Sequence, residues 1–151
     1  MNELVLLDTG LLGQGTQPRL FADQKQWFAQ LGLRSRTVLI PDIVDYEIRR
    51  ELLRAGKIGS IQRLDKFCAT WGTVPISTEA LQRAAVLWAD SRRQGRVTSP
   101  PQALDADIIL AAQAQLLAEQ ERTPVIVATT NVRRLSWFVD ARRWSEIDPD
   151  E

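Results

Sequence analysis

The sequence contains no histidine, and that one absence removes a large part of enzyme chemistry. A His general base, a Ser-His-Asp triad and the usual His-rich zinc site are all excluded, so any catalysis must run on carboxylates, hydroxyls, Lys, Arg or a hard metal ion. The single cysteine, Cys68, cannot form an internal disulfide, and a reducing cytoplasm is the expected compartment. No apolar run approaches the roughly 18 residues that a membrane span needs, and Met1-Asn2-Glu3 lacks the basic and apolar regions of a signal peptide, so no membrane is expected. Net charge is missing too, since 19 basic residues balance 19 acidic ones. The balance hides a distribution. Glu146, Asp148, Asp150 and Glu151 all lie in the last six residues, so over positions 1–145 the 19 basic residues face 15 acids, an excess of +4. The bases come in pairs (Arg49-Arg50, Arg92-Arg93, Arg133-Arg134, Arg142-Arg143), which suits either solvated helix faces or phosphate contacts.

What is present fits one soluble globular domain over 1–151, with 44% hydrophobic and 25% charged residues at the usual size for a single core. Short aliphatic runs alternate with longer helical patterns, the mark of a parallel sheet covered by helices. Leu4-Val5-Leu6-Leu7 is a buried first strand ending at Asp8, and Ala22 to Leu31 a helix stopped by Gly32. Thr37 to Ile40 is a second strand; Pro41 then suits the first turn of a helix running to about Ala55 and ended by Gly56. Ile58 to Trp71 is helical, Thr73 to Ile76 a short strand, and Thr78, as N-cap, opens a helix to about Arg93. A loop over Gln94 to Leu104 precedes an Ala-rich helix from Asp105 to about Glu121. Val125 to Ala128 forms a strand, with Trp144 to Ile147 as a last edge strand. Right-handed crossovers then give an open three-layer α/β/α sheet, with ligands at the carboxyl ends of its strands.

Four places depart from a bland core. Asp8 ends an apolar strand and is followed by Thr9-Gly10, as either a turn-forming residue or a ligand. Glu47 lies at the edge of the buried stripe marked by Ile43, Val44, Ile48, Leu52 and Leu53, where a carboxylate needs a metal or an Arg partner. Asp45, four residues before Arg49, is explained as an exposed helix pair. Asp105 and Asp107 open an otherwise apolar helix; two residues apart, they cannot face the same way, so one points into a site and the other caps. Thr129-Thr130-Asn131 ends the following strand with polar side chains. Jointly these positions put Asp8, Glu47, Asp107 and Asn131 around one crevice. Clustered carboxylates repel one another unless a hard cation such as Mg²⁺ or Mn²⁺ neutralises them, and such ions cleave phosphodiesters without His.

These pieces resemble the PIN domains, and among them the VapC-type toxins of prokaryotic toxin-antitoxin pairs. The matching segments are Leu7-Asp8-Thr9, Pro41 to Glu47, Asp107 to Ala114, and Thr129-Thr130-Asn131 with Trp144 beyond, in order over nearly the whole chain. The resemblance implies a five-stranded parallel sheet in the order 3-2-1-4-5. It implies a Mg²⁺- or Mn²⁺-dependent endoribonuclease acting on single-stranded or looped RNA. In it Asp8 and Asp107 hold the metal, Glu47 positions the metal or the attacking water, and Asn131 stands at the fourth polar position with Thr129 beside it. Members often carry Asp where Asn131 stands, and Asp105 is an extra acid beside the motif. A homodimer and a small antitoxin whose tail occupies the active groove are implied as well. The aromatics Trp27, Phe28, Trp71, Trp88, Trp137 and Phe138 are many for one small core, and some are expected to line a partner surface.

Other families fit less well. A haloacid-dehalogenase-type phosphatase needs a second Asp two residues after Asp8, where Gly10 stands. Gly10-Leu11-Leu12-Gly13-Gln14-Gly15-Thr16 has a P-loop-like spacing without its Lys. The rival from another class is a non-catalytic PIN-like module that binds RNA or protein, and the three acids count against it.

Overall fold

The computed structural model describes residues 3–20, 22–31, 37–96 and 105–149. In chain order these form β1 (Leu4–Leu7), α1 (Thr9–Gly15), α2 (Ala22–Leu31), β2 (Thr37–Pro41), α3 (Asp42–Ala55), α4 (Ile58–Trp71), β3 (Thr73–Val74), α5 (Thr78–Arg93), α6 (Ala106–Glu121), β4 (Val125–Thr129), α7 (Val132–Leu135) and β5 (Asp140–Arg143). The strands make one sheet in the order β3-β2-β1-β4-β5, as expected, and every neighbouring pair is parallel. β1 is central: Val5 stands beside Val38 on one side and Ile126 on the other. Because crossovers between parallel strands are right-handed, the connections running from β1 out to β3 cover one face, and those leading to β4 and β5 the other. A strand covered on both faces can be apolar throughout. Val5, Leu6, Leu7, Ile126, Val127 and Ala128 are accordingly all fully buried.

Several boundaries differ from those expected. α1 was not foreseen, since three glycines in seven residues give poor helix propensity. It forms because Asp8 caps it and because Leu11 and Leu12 are fully buried. Two of its glycines also permit close approach. A Cβ on Gly10 would lie 2.8 Å from Thr130 Oγ1, and one on Gly15 would lie 3.1 Å from the Phe28 ring. Pro41 ends β2 in extended conformation at the N-cap position of α3 rather than inside its first turn. Gly56 closes that helix in the left-handed region, φ 67°, as expected. Leu53 is 61% exposed and does not belong to the buried stripe. The cap of α5 is Ser77, whose hydroxyl accepts the Ala80 N–H, not Thr78. β3 is two residues long. The last strand comes earlier than expected, at Asp140–Arg143, and Trp144–Glu146 is a 3-10 turn. Gly32 and positions 97–104 of the expected loop lie outside the described residues.

The aromatic residues divide. Trp27 and Phe28 are buried, and Trp27 Nε1–H donates to the Ile147 carbonyl at 3.0 Å. Phe67 and Trp71 stack at 5.0 Å between centroids, with Phe28 5.8 Å from Phe67, so an aromatic stack joins α2 to α4. Phe138 packs on the small cluster of Ala84, Ile108 and Ala112 between α5 and α6. Trp88 and Trp137 remain exposed. Among the described residues no helix is long and apolar enough to cross a membrane.

Candidate active site

Asp8 leaves the carboxyl end of the central strand and is the N-cap of α1, in extended conformation. The residue is 9% exposed, and its carboxylate accepts two hydrogen bonds, from the Thr9 N–H at 2.7 Å and from the Thr129 hydroxyl at 2.6 Å. Thr129 is the last residue of β4, the strand beside β1, and is fully buried. Its oxygen in turn accepts the Asn131 N–H at 2.9 Å. Burial pushes the Asp8 pKa above its ordinary value, while the Thr129 hydroxyl, the Thr9 amide and the Arg134 charge pull the other way.

Glu47 projects from the second turn of α3 and accepts the Thr9 hydroxyl at 2.7 Å. Thr9 therefore donates its amide proton to one acid and its hydroxyl proton to another, binding Asp8 and Glu47 into one unit. Asp107, in the first turn of α6, completes the group. Its pKa is raised first by burial and then by the charge of Asp8, with Glu47 adding and Arg134 opposing. The Arg134 guanidinium, carried by α7, stands 3.8 Å from the Asp107 carboxylate. Arg134 is the member that residue patterns do not single out. It is one of four Arg pairs in the sequence, and only the fold tells it from the others. Arg49 binds Asp45 at 3.0 Å and Asp65 at 2.8 Å, Arg93 pairs with Asp90, and Arg142 pairs with Asp140 at 2.9 Å.

The remaining candidates take lesser places. Asn131 is exposed at the start of α7, tied to the group through its backbone amide, and its side chain makes no cap hydrogen bond. Asp105 occupies the N-cap position of α6, yet its carboxylate bonds no backbone amide of the helix. Asp45 pairs with Arg49 as expected but is only 23% exposed, and it accepts the Cys68 thiol at 3.4 Å. Burial and Asp45 push the Cys68 thiol up to about 11, so it stays protonated at neutral pH and is no nucleophile.

The donor set at the carboxyl ends of β1 and β4 is entirely oxygen, the chemistry of a hard divalent cation. Among the described residues its negative charges outnumber the Arg134 cation beside Asp107, and the charges of Asp8 and Glu47 raise the Asp107 pKa, so the residues suit such an ion electrostatically. Among the described residues, however, no three acidic or Cys side chains are drawn together as a formed metal-ligand set.

No family model matches the chain, and no curated protein sequence matches it. Whole-chain likeness to solved structures is clear. The crystal structure of VapBC2 from Rickettsia felis bound to a promoter DNA fragment matches with TM-score 0.71 at 15% identity, over 93% of this chain and 98% of that one. FitAcB from Neisseria gonorrhoeae matches with TM-score 0.67 at 18% identity, over 95% and 99%. A toxin-antitoxin complex from Klebsiella pneumoniae matches with TM-score 0.60 at 21% identity, over 95% and 99%. At such identities the likeness is one of fold, and the fold, with its strand order, is PIN-like.

Proposed function

We propose that this chain is the VapC-type toxin of a toxin-antitoxin pair, and that it is a Mg²⁺- or Mn²⁺-dependent endoribonuclease cutting single-stranded or looped RNA. The observation that carries this reading is the link of Asp8 to Glu47 through Thr9 at the carboxyl end of β1, with Asp107 near enough to feel the charge of both and Arg134 beside it. Whole-chain likeness to VapBC and FitAcB structures supports it. Asp8 and Asp107 would hold the ion, which when bound supplies an activated water and neutralises charge developing on the phosphoryl oxygens. The chain's own groups do the positioning. Thr129 and the Thr9 amide fix the Asp8 carboxylate in one orientation. The Thr9 hydroxyl turns Glu47 so that its remaining lone pairs can accept a proton from the attacking water. Thr129 acts through Asp8, because its hydroxyl proton is already donated there. Asn131 stands at the open edge of the group, and Arg134 is placed to meet a phosphate.

The same reading places the protein in the cytoplasm as a homodimer with a small antitoxin whose tail enters the active groove. A second groove of about 790 Å³ between α2 and α4, lined by none of the three acids, has Phe28 and Phe67 with Arg19, Lys25, Arg63 and Lys66 in its walls, and suits another, acidic and partly apolar, antitoxin segment. The alternative, a non-catalytic PIN-like module for RNA or protein, draws on the absence of a formed metal-ligand set among the described residues. The deciding experiment incubates purified protein with RNA carrying exposed loops, with Mg²⁺ or Mn²⁺ and then with chelator. Metal-dependent cleavage supports the nuclease. Tight RNA binding with no cleavage under any divalent metal supports the module.

A further inference from the structure

The nuclease reading leaves unused two exposed tryptophans, each with an arginine over its ring, a strip of aromatic and basic side chains. Trp137 and Trp88 are 46% and 42% exposed, whereas Trp27 is 5% exposed. Each exposed indole is covered by an arginine: the Arg96 guanidinium lies 5.2 Å from the Trp137 ring centre, and that of Arg92 lies 5.0 Å from Trp88. Neither end of the first pair is slack. The Arg96 amide is bonded back to the Ser91 carbonyl of α5 at 2.8 Å. Around Trp137, the Phe138 amide bonds the Leu135 carbonyl at 3.0 Å, and Gln115 of α6 holds the Phe138 carbonyl at 3.0 Å. Trp137 is therefore an exposed ring on a fixed backbone. Three residues before it stands Arg134, beside Asp107. Three residues span at most about 11 Å, which puts the ring within reach of the nucleotides next to a phosphate bound at the acids.

We propose that Trp137, with Arg96 and Arg134, is the platform on which the RNA strand lies beside the cleaved bond; this deepens the nuclease reading and rests on it. A base takes the place that Arg96 holds over the indole, and the freed guanidinium turns to a phosphate, the combination by which proteins grip single strands without reading sequence. The charge of the strip selects this occupant over a second copy of the chain. In a two-fold contact the strip would meet itself, setting Arg92, Arg96 and Arg134 against like charges. A polyanion has the opposite need.

The test uses the full chain in chelator, where binding is measured apart from cleavage. Fluorescein-labelled oligouridylate is titrated by anisotropy against wild type, Trp137→Ala, Trp137→Phe and Arg96→Ala at several salt concentrations. Trp137→Ala should weaken binding about tenfold, the loss of one stacked base, and Trp137→Phe should restore most of it. Arg96→Ala should weaken binding and lower the salt slope by about 0.7, one single-strand phosphate contact. RNA should also quench the tryptophan fluorescence of wild type more than that of Trp137→Phe. Unchanged affinity and slope in both Trp137→Ala and Arg96→Ala, with wild type still cleaving RNA in Mn²⁺, would overturn the platform and leave the nuclease standing. Should Trp137→Ala fail to fold, Arg96→Ala and the quenching decide. A wild type that cleaves no RNA under any divalent metal defeats the nuclease reading instead.

Discussion

The hydroxyl of Thr129 sits between the Asp8 carboxylate and the Asn131 amide, and replacing it with the isosteric Thr129→Val tests whether that link carries charge. The residue is fully buried and the Asp8 carboxylate nearly so, so water cannot readily take over from the lost donor. A hydrogen bond to a charged group is worth about 1.5–3 kcal/mol. The Asn131 amide loses its acceptor as well, but Asn131 is exposed and water can replace it there. The expected loss near pH 7.5 is therefore about 2–3 kcal/mol, or a Tm lower by about 5–10 °C for a chain of this length. The pH dependence has a definite sign. Burial already raises the Asp8 pKa above 3.8, the Thr129 hydroxyl opposes that rise, and valine lets it go further. A carboxyl whose folded pKa is raised stabilises the fold in its protonated form; that contribution is complete below the unfolded value and is lost as pH rises through the folded one. The valine variant should thus lose more stability than wild type as pH rises, and near pH 4 its deficit should shrink to about 1 kcal/mol, that of a neutral hydrogen bond. Urea unfolding in chelator at the two pH values measures it, with Thr129→Ser, which keeps the hydroxyl, as the control. A deficit under about 0.5 kcal/mol at pH 7.5, or one that is equal at both pH values, would refute the link.

Asp107→Asn should abolish metal-dependent cleavage and raise Tm in chelator at neutral pH, because burial and the charges of Asp8 and Glu47 disfavour the ionised form; the gain should vanish below about pH 4, where an ordinary Asp is itself protonated. A lower Tm at neutral pH would mean that the carboxylate is structurally needed. Asp105→Ala should stay within about 0.5 kcal/mol of wild type, not the roughly 1 kcal/mol of a lost cap, since the Asp105 carboxylate caps nothing; cleavage should persist, and a dead variant would move the metal ligand from Asp107 to Asp105. Arg134→Gln takes away the cation 3.8 Å from Asp107 and should tighten Mn²⁺ binding about fivefold by calorimetry, the roughly 1 kcal/mol that a charge at such a distance is worth in high dielectric. Weaker Mn²⁺ binding would show that Arg134 shapes the acids rather than competing with the ion.

The parts of the fold that were legible in the sequence are those where burial dictates residue type. β1, β2 and β4 lie inside a sheet covered on both faces, so each is an apolar run that no surface element imitates. β5 is the outer strand, and Asp140-Ala141-Arg142-Arg143 carries no apolar signal; the more hydrophobic Trp144 to Ile147 drew the strand there although it turns into a 3-10 segment. α1 was illegible for the opposite reason. Its glycines argue against a helix, and only its neighbours, Thr130 over Gly10 and Phe28 over Gly15, explain why they are there. Leu53 had the right period and the wrong surroundings: 61% of it is exposed at the far end of α3. At the site, acids ending or beginning elements stood out because a carboxylate beside apolar runs needs a reason. Arg134 did not, because an arginine on a polar helix needs none.

What brings the group together is the point where the chain reverses its direction across the sheet. From β1 the order steps outward to β2 and β3, then returns past β1 to β4 and β5. Connections therefore leave opposite faces on either side of β1 and open a crevice beyond its carboxyl end. Each segment bordering that crevice contributes one member: β1 supplies Asp8, the helix after β2 supplies Glu47, the helix before β4 supplies Asp107, and the end of β4 supplies Thr129. The arrangement holds acids whose mutual repulsion the fold must offset elsewhere. It does so with the aliphatic strands directly beneath, because Leu7 and Ala128, the residues adjoining Asp8 and Thr129, are fully buried and stand side by side in the ladder. Moving Asp8 by one position along β1 would turn its side chain to the other face of the sheet, into the aliphatic core and away from Thr129. The register of β1 on β4 is thus as much a part of the site as the carboxylates themselves.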